Sequence, residues 1–420
     1  MPGWHRVIGR ARRPVLGIAG QFLNAGTNVA TVYLASQLLA PAAFGDFVVV
    51  FAVVSVVLAA GRGLIGSTMQ VHLPTLDEAT RRSMVRSALG FTLLAGLVGS
   101  AVLAAIGVAA GATTVLWFAP WVTLALLHDA ARYVFLSTER QGSALALDVA
   151  WALAQAAVIV AWLLAGGQES IGLLATAWGI GATAGFLLFV VLTRAVPARP
   201  GPWTRTTRDV AGWFTATAFV SQLELYLVLQ LTGLLLGATD AGGLRAVQLL
   251  AYQPAIVVLG ALSSVLTPGV VRARGDRDRL RAAVRTVAVT ASPVALVLIA
   301  VALAREPLMA LLFDQYVAFA ALVVPIALQG VASTLALPCQ VLLRALRRGA
   351  TTFTVQVARL VVMVGAAAAG ILVAGPAGLA WGLAAGATVV LALTAVLALR
   401  AARDDAGPVA AEDLAAAPAD

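Results

Sequence analysis

The stretch LLAPAAFGDF, Leu38 to Phe47, interrupts two long apolar runs, and a related one, LLGATDAGGL, returns at Leu235 to Leu244. At a constant offset of 197 residues Leu39 falls on Leu236, Gly45 on Gly242 and Phe47 on Leu244. The same register sets Asn24 on Ser221, Thr27 on Glu224 and Arg82 on Arg279. Further along, the offset grows to about 207, setting Gly142 of ERQGS on Gly349 of LRRGA, which requires extra residues near Arg305 to Tyr316. The break reads as a glycine-centred turn between two membrane spans, used once in each half of a duplicated chain.

The flanking composition makes those runs membrane spans. Of the 420 residues 61% are hydrophobic and 11% charged, and the mean hydropathy is +0.94. Such a chain has too little polar surface to coat a soluble globule. A spanning helix needs roughly 20 apolar residues, and the runs lack the period-2 alternation of an outer-membrane barrel. The expected fold is an all-α polytopic membrane protein of twelve transmembrane helices, at 15–39, 44–66, 86–110, 113–137, 143–166 and 170–194, then 211–237, 242–267, 284–304, 316–343, 351–374 and 376–399.

Arginine placement supplies the topology. There is no lysine, and 23 of the 28 arginines fall in the segments that alternate to one side when the N-terminus starts inside. Basic residues favour the cytoplasmic side, so both termini are expected in the cytoplasm and the protein in the cell (cytoplasmic) membrane. Six spans per half return the chain to the side it started from, which relates the halves by an axis along the membrane normal. The expected organisation is a basic N-terminal segment at 1–14, a six-helix bundle at 15–194 and a cytoplasmic inter-bundle loop at 195–210. A second bundle at 211–399 and a disordered acidic tail at 400–420 complete it. The prolines of the loop RAVPARPGPWTRTTRD disfavour helix there, and the Ala/Pro-rich tail has little to bury.

These features exclude several function classes. The basic excess sits in topogenic loops, so no nucleic-acid partner is expected despite a pI near 11.0. The single cysteine, Cys339, builds neither a disulfide nor a Cys-based metal site. No GxxxxGK[ST] loop occurs, so ATP is not bound by this chain. No cofactor or metal is expected, and membrane lipids are the constant surroundings.

Polar residues inside spans are the candidate site. Gln21, Asn24, Asn28 and Thr31 recur at steps of three, four and three on one face of the first span, and Thr217, Ser221 and Glu224 repeat the stripe in the seventh, with Gln222 beside it. In hydrocarbon such a face must meet protein or a water-filled cavity, so the stripes are either interhelical hydrogen-bond glue or cavity lining. Charges at membrane depth are costly and mark pairs or function; here they are Arg62, Asp129, Arg132, Asp148, Glu224 and Arg359, with His128 beside Asp129. Asp129 and Arg132, three apart on one helix, are placed to neutralise each other. Arg62 and Arg359 lie within reach of an interface or of a cavity. Gly378, Gly382, Gly386 and Gly181, Gly185 form GxxxG patterns for close helix contact.

LLAPAAFGDF, the stretch LLLGATDAGGLRAVQLLAYQPAIVVLGALSSVLTPGVVRARGDRDRLR and LLFDQYVAFAALVVPIAL together resemble the oligosaccharide flippases of the multidrug/oligosaccharidyl-lipid/polysaccharide exporter superfamily, over about residues 15 to 400. The resemblance implies two six-helix bundles around a central cavity. It also implies alternating access that carries a polyprenyl-diphosphate-linked oligosaccharide from the inner to the outer leaflet for cell-surface polysaccharide biosynthesis, with a polymerase and glycosyltransferases as partners. In that reading Arg62, Arg132 and Arg359 meet the diphosphate, and Gln21, Asn24, Asn28, Ser221 and Gln222 meet sugar. The alternative is a cation-coupled, multidrug-type small-molecule exporter of the same superfamily, with Glu224, Asp148 and Asp129 as coupling residues. A membrane-embedded glycosyltransferase or ligase is the enzymatic alternative; acidic residues of the outer loops stand singly, so no enzyme activity is expected.

Overall fold

Every regular element among the described residues is helical, as backbone groups in hydrocarbon require. The computed structural model describes residues 29–405 except 110, 139, 274–275 and 347–348. The basic segment 1–14, the polar residues Gln21, Asn24 and Asn28, and the tail beyond Asp405 lie outside the described residues.

The elements are α1 (Val29–Leu38), α2 (Pro41–Gly61), running through a π turn (Arg62–Ser67) into α3 (Thr68–His72), then α4 (Glu78–Ala109), α5 (Thr113–Ser137), α6 (Gln141–Leu164) and α7 (Ile171–Thr193). In the second half follow α8 (Gly201–Leu235), α9 (Ala238–Ala251), α10 (Gln253–Arg272), α11 (Arg277–Leu303), α12 (Arg305–Leu312), a 3-10 segment (Asp314–Leu322), α13 (Val323–Ala345) and α14 (Gly349–Asp405). Nine of the described helices are long and apolar enough to cross a membrane, and α9 with the first part of α10, bent by 46°, passes the same test as a pair. At 57 residues α14 would extend about 86 Å if straight, nearly three times a hydrocarbon thickness of about 30 Å. It breaks at Ala374 and Gly375, the latter at φ 58°, and so supplies two spans. Counting α1, the twelve segments occur in the expected order. The protein is a multi-pass membrane protein, and side chains such as Leu94, Val98, Leu153, Val191, Val361 and Leu372 stand open on its outward faces, where lipid replaces water.

Three expectations need correction. The break after the first span is only Leu39–Ala40; Pro41 starts α2 in the first-turn position that tolerates proline, and Gly45 lies inside the helix. Gly45 is needed for contact rather than for turning: a Cβ there would fall on the Ala238 carbonyl of α9. Reciprocally, a Cβ on Gly242 would lie 3.0 Å from Phe44 and 3.3 Å from the Pro41 carbonyl oxygen. Pro41 and Ala238, like Gly45 and Gly242, are separated by the repeat offset, so the two equivalent helix starts cross through equivalent residues, as a twofold contact demands.

The loop expected at 195–210 is helical from Gly201 onward, with Pro202 in the first turn. Its extended part is stitched to α4: Ala198 N donates to Arg86 O at 2.8 Å, while Ser87 Oγ donates to Arg199 O at 2.9 Å and accepts from Trp203 N at 3.0 Å. Trp203 is thereby buried in the core of the first bundle, against residues such as Phe135, Leu147 and Phe189. The helix expected to end at 399 continues through Asp405.

By compactness the described residues up to Leu249 group with Leu308–Ala320, and Leu250–Pro307 with the residues from Ala321 onward. This grouping places α8 and most of α9 in the first unit, where α8 packs along α2. In the second unit α13 packs on α10, α11 and α14. Its final hairpin closes through small residues: Gly370 and Gly378 meet backbone to backbone, and Gly382 and Gly386 rest on Ala366, as the GxxxG spacing leads one to expect.

Candidate functional site

An aromatic column crosses the first unit from the opening stretch. Phe44, Phe47, Phe51, Trp178, Trp151 and His128 follow one another at ring-centroid separations of 4.7–6.4 Å. α6 lines it with Ala144, Asp148, Trp151, Gln155 and Ile159, a buried face at helical spacing. The column ends in charge, toward the end of the bundle that carries the arginine-rich connections.

There Arg62 Nε donates to Asp129 Oδ2 at 2.7 Å, from α2 to α5. The π turn that begins at Arg62 is accommodated by Thr68, whose hydroxyl donates to the carbonyls of Leu64 at 3.0 Å and Gly63 at 3.3 Å. Gly63 lets the Phe214–Thr215 backbone of α8 approach, and Gly66 seats the Tyr133 ring. Such bulges recur where a helix must aim a functional side chain. The Arg62 side chain remains 35% exposed, with donors to spare.

One turn further along α5, Arg132 Nε donates to Asp148 Oδ2 of α6 at 3.0 Å, with both side chains buried. His128 Nε2 stands 3.5 Å from the other oxygen of Asp148. The expected neutralisation of Asp129 by Arg132 within one helix is therefore not what forms: each carboxylate takes an arginine that bridges to another element. Interhelical pairing also holds the two helices together, which a pair on one helix cannot do.

The polar stripes divide. Of the first-span stripe Thr31 is described, and it is glue: Gln155 Nε2 donates to its hydroxyl at 2.9 Å in a buried setting. On α8, Ser221 is exposed and donates to its own Ala218 carbonyl, Thr217 donates to Trp213 O, and Gln222 and Glu224 are half-buried. In the second unit Arg359 Nη2 donates to the Tyr252 hydroxyl at 3.0 Å, at the bend between α9 and α10. Arg344 Nη1 likewise donates to Ser263 Oγ at 2.8 Å.

Arg62, Asp129, Arg132 and Asp148 are thus brought together, while Arg359 stands in the other unit and Glu224 on α8. Gln155 and Trp151 were missed as partners, although Asp148, Trp151 and Gln155 fall three and four apart and show the same helical stripe that marks the first span. Tyr252 carried no such signal, since only the bend brings it to Arg359. Among the described residues no group of three or more His, Cys, Asp or Glu side chains is placed to hold a metal ion.

No family model and no curated protein matches the sequence. Among solved structures, an inward-facing multidrug resistance MATE family transporter of the MOP superfamily matches with a TM-score of 0.78 at 14% identity, covering 94% of this chain and all of that one. An outward-facing one matches with a TM-score of 0.67 at 14% identity, over 94% of this chain and 96% of that one. A MOP superfamily transporter from Pyrococcus furiosus Vc1, described as having a binding pocket of reverse polarity that suggests a different function, matches at 0.69 and 15% identity over 94% and 96%. At this identity the likeness concerns architecture, and the chain has the fold of these MOP superfamily transporters.

Proposed function

We propose that this protein is a secondary exporter that works by alternating access and moves a small amphipathic molecule out of the cell in exchange for a cation that enters down its gradient. The observation that carries the reading is the fold, which matches both an inward-facing and an outward-facing multidrug transporter over nearly the whole chain. Those neighbours are transporters rather than enzymes, which favours transport over glycosyl transfer. In this reading the protein sits in the cytoplasmic membrane with its arginine-rich connections inside.

The lipid-linked oligosaccharide flippase remains the second reading, favoured by one feature. The Arg62 side chain beside Asp129 is partly exposed, and a planar fork of donors suits a diphosphate. A glycan-export system with its polymerase and glycosyltransferases would then be the partner set.

Purified protein in proteoliposomes, loaded with ethidium and given an imposed proton or sodium gradient, separates the two. Gradient-dependent dye efflux supports the small-molecule reading. Absence of efflux under both gradients, together with rescue of glycan export in a flippase-deficient strain, replaces it with the second.

A further inference from the structure

The charged cluster of the first unit pairs itself off except for one group. Asp148 has Arg132 on one oxygen, and Asp129 has Arg62. His128 is fully buried, and neither ring nitrogen has a hydrogen-bond partner among the described residues. A neutral imidazole carries one N–H and one bare nitrogen, so this ring buries a donor and an acceptor together. Buried polar groups are rarely left so in a folded protein, and one that is calls for an explanation.

The surroundings of the ring are specific. α6 contributes Asp148, whose Oδ1 lies 3.5 Å from Nε2, and Trp151, whose ring stands edge-on at 4.7 Å. α7 contributes Gly185, where any Cβ would fall on the imidazole, and it carries no ionisable side chain between Ile171 and Thr193. α5 itself carries Asp129, Arg132 and Tyr133. α2 brings Arg62, already on Asp129, and has Asp46 near its far end. The ionisable groups of α4, Glu78, Arg81, Arg82 and Arg86, all lie in its first turns. The anion facing the imidazole is Asp148.

We propose that His128 is a proton-carrying group of this transporter. The bare nitrogen of the neutral ring takes a proton from water, the ring becomes an imidazolium, and its Nε2–H faces Asp148 Oδ1 as a charge-assisted hydrogen bond; release returns the proton to water. Each carboxylate of the cluster already has an arginine on it, so the imidazole is the group with an open nitrogen. In the present conformation the ring is sealed from solvent, and proton exchange requires α5, α6 and α7 to part. Uptake and release are therefore tied to conformational change, the condition for a proton to bias one state over another. The inference rests on the transport reading only for what the proton drives.

The test begins with the full chain in lipid nanodiscs, labelled with nitrogen-15 histidine, and the His128 signal is assigned as the one absent from His128→Gln. This signal is expected to show the imidazolium pattern in acid and the neutral pattern in base, and Asp148→Asn is expected to change that response, because Asp148 is the anion that faces the ring. A neutral pattern throughout in the wild-type protein, which needs no variant to fold, overturns the proposal, as does a response to pH that ignores Asp148→Asn. In proteoliposomes containing pyranine, potential-driven proton uptake is expected in the wild type and its loss in His128→Gln. Wild-type, proton-driven ethidium efflux by His128→Gln overturns the role of His128 while leaving the exporter intact. An imidazole that titrates as described, in a protein that moves no dye, upholds His128 and removes the small-molecule reading instead.

Discussion

Arg132 and Asp148 share a buried ion pair whose members come from different helices. Removing one partner of such a pair strands the other, at a cost on the order of 3 kcal/mol, whereas replacing both with apolar groups of similar size is close to neutral. Asp148→Asn and Arg132→Leu should each lower the thermal midpoint of detergent-solubilised protein, and the double variant Arg132→Leu/Asp148→Leu should recover most of the loss. A double variant that melts at the sum of the single losses would show that the pair is not the relevant unit. Arg62 and Asp129 differ in degree, because the Arg62 side chain keeps solvent contact; Asp129→Asn should therefore cost less than Asp148→Asn in the same measurement.

At the scale of elements, glycine and serine contacts decide how helices meet. Gly45→Ala would drive a methyl group into the Ala238 backbone, where no flexible side chain can give way. Overpacking of this kind costs about 1–3 kcal/mol, so Gly45→Ala should destabilise the fold measurably. Gly142→Ala, in helix α6 with nothing within 4 Å of the added methyl, should be neutral or stabilise by up to about 1 kcal/mol. Equal melting of the two variants would contradict the close α2–α9 crossing. Ser87 serves Arg199 O and Trp203 N at once; Ser87→Ala leaves both without that partner, and a loss of about 1–3 kcal/mol is expected. Limited proteolysis should then cut the connection between α7 and α8 sooner than in the wild type.

For the molecule as a whole, the arginine pattern makes a topological prediction that transport assays do not depend on. On a Cys339→Ala background, cysteine at Glu169 should react with a membrane-impermeant maleimide from outside intact cells. Cysteine at Arg82 or Arg279 should react only after permeabilisation. The reverse pattern would invert the protein and, with it, the direction proposed for transport. The fold neighbours bear on this scale alone: they define how twelve segments are arranged, and the sign and size of the cargo belong to side chains that fold comparison at 14% identity leaves open.

Hydropathy marks the long apolar helices among the described residues, because burial in lipid imposes roughly 20 apolar residues on each span. The repeat offset is equally legible, and it sets Gly45 and Gly242 at equivalent positions, where they make their reciprocal contact. What those glycines do was not legible: a glycine near a helix start reads as a turn until a second helix is found against it. The same holds for charge. Sequence spacing couples Asp129 to Arg132 because they are neighbours on one helix, but side chains pair with whatever is nearest in space. Only tertiary packing places Arg62 beside Asp129, Asp148 beside Arg132, and the buried ring of His128 against Asp148.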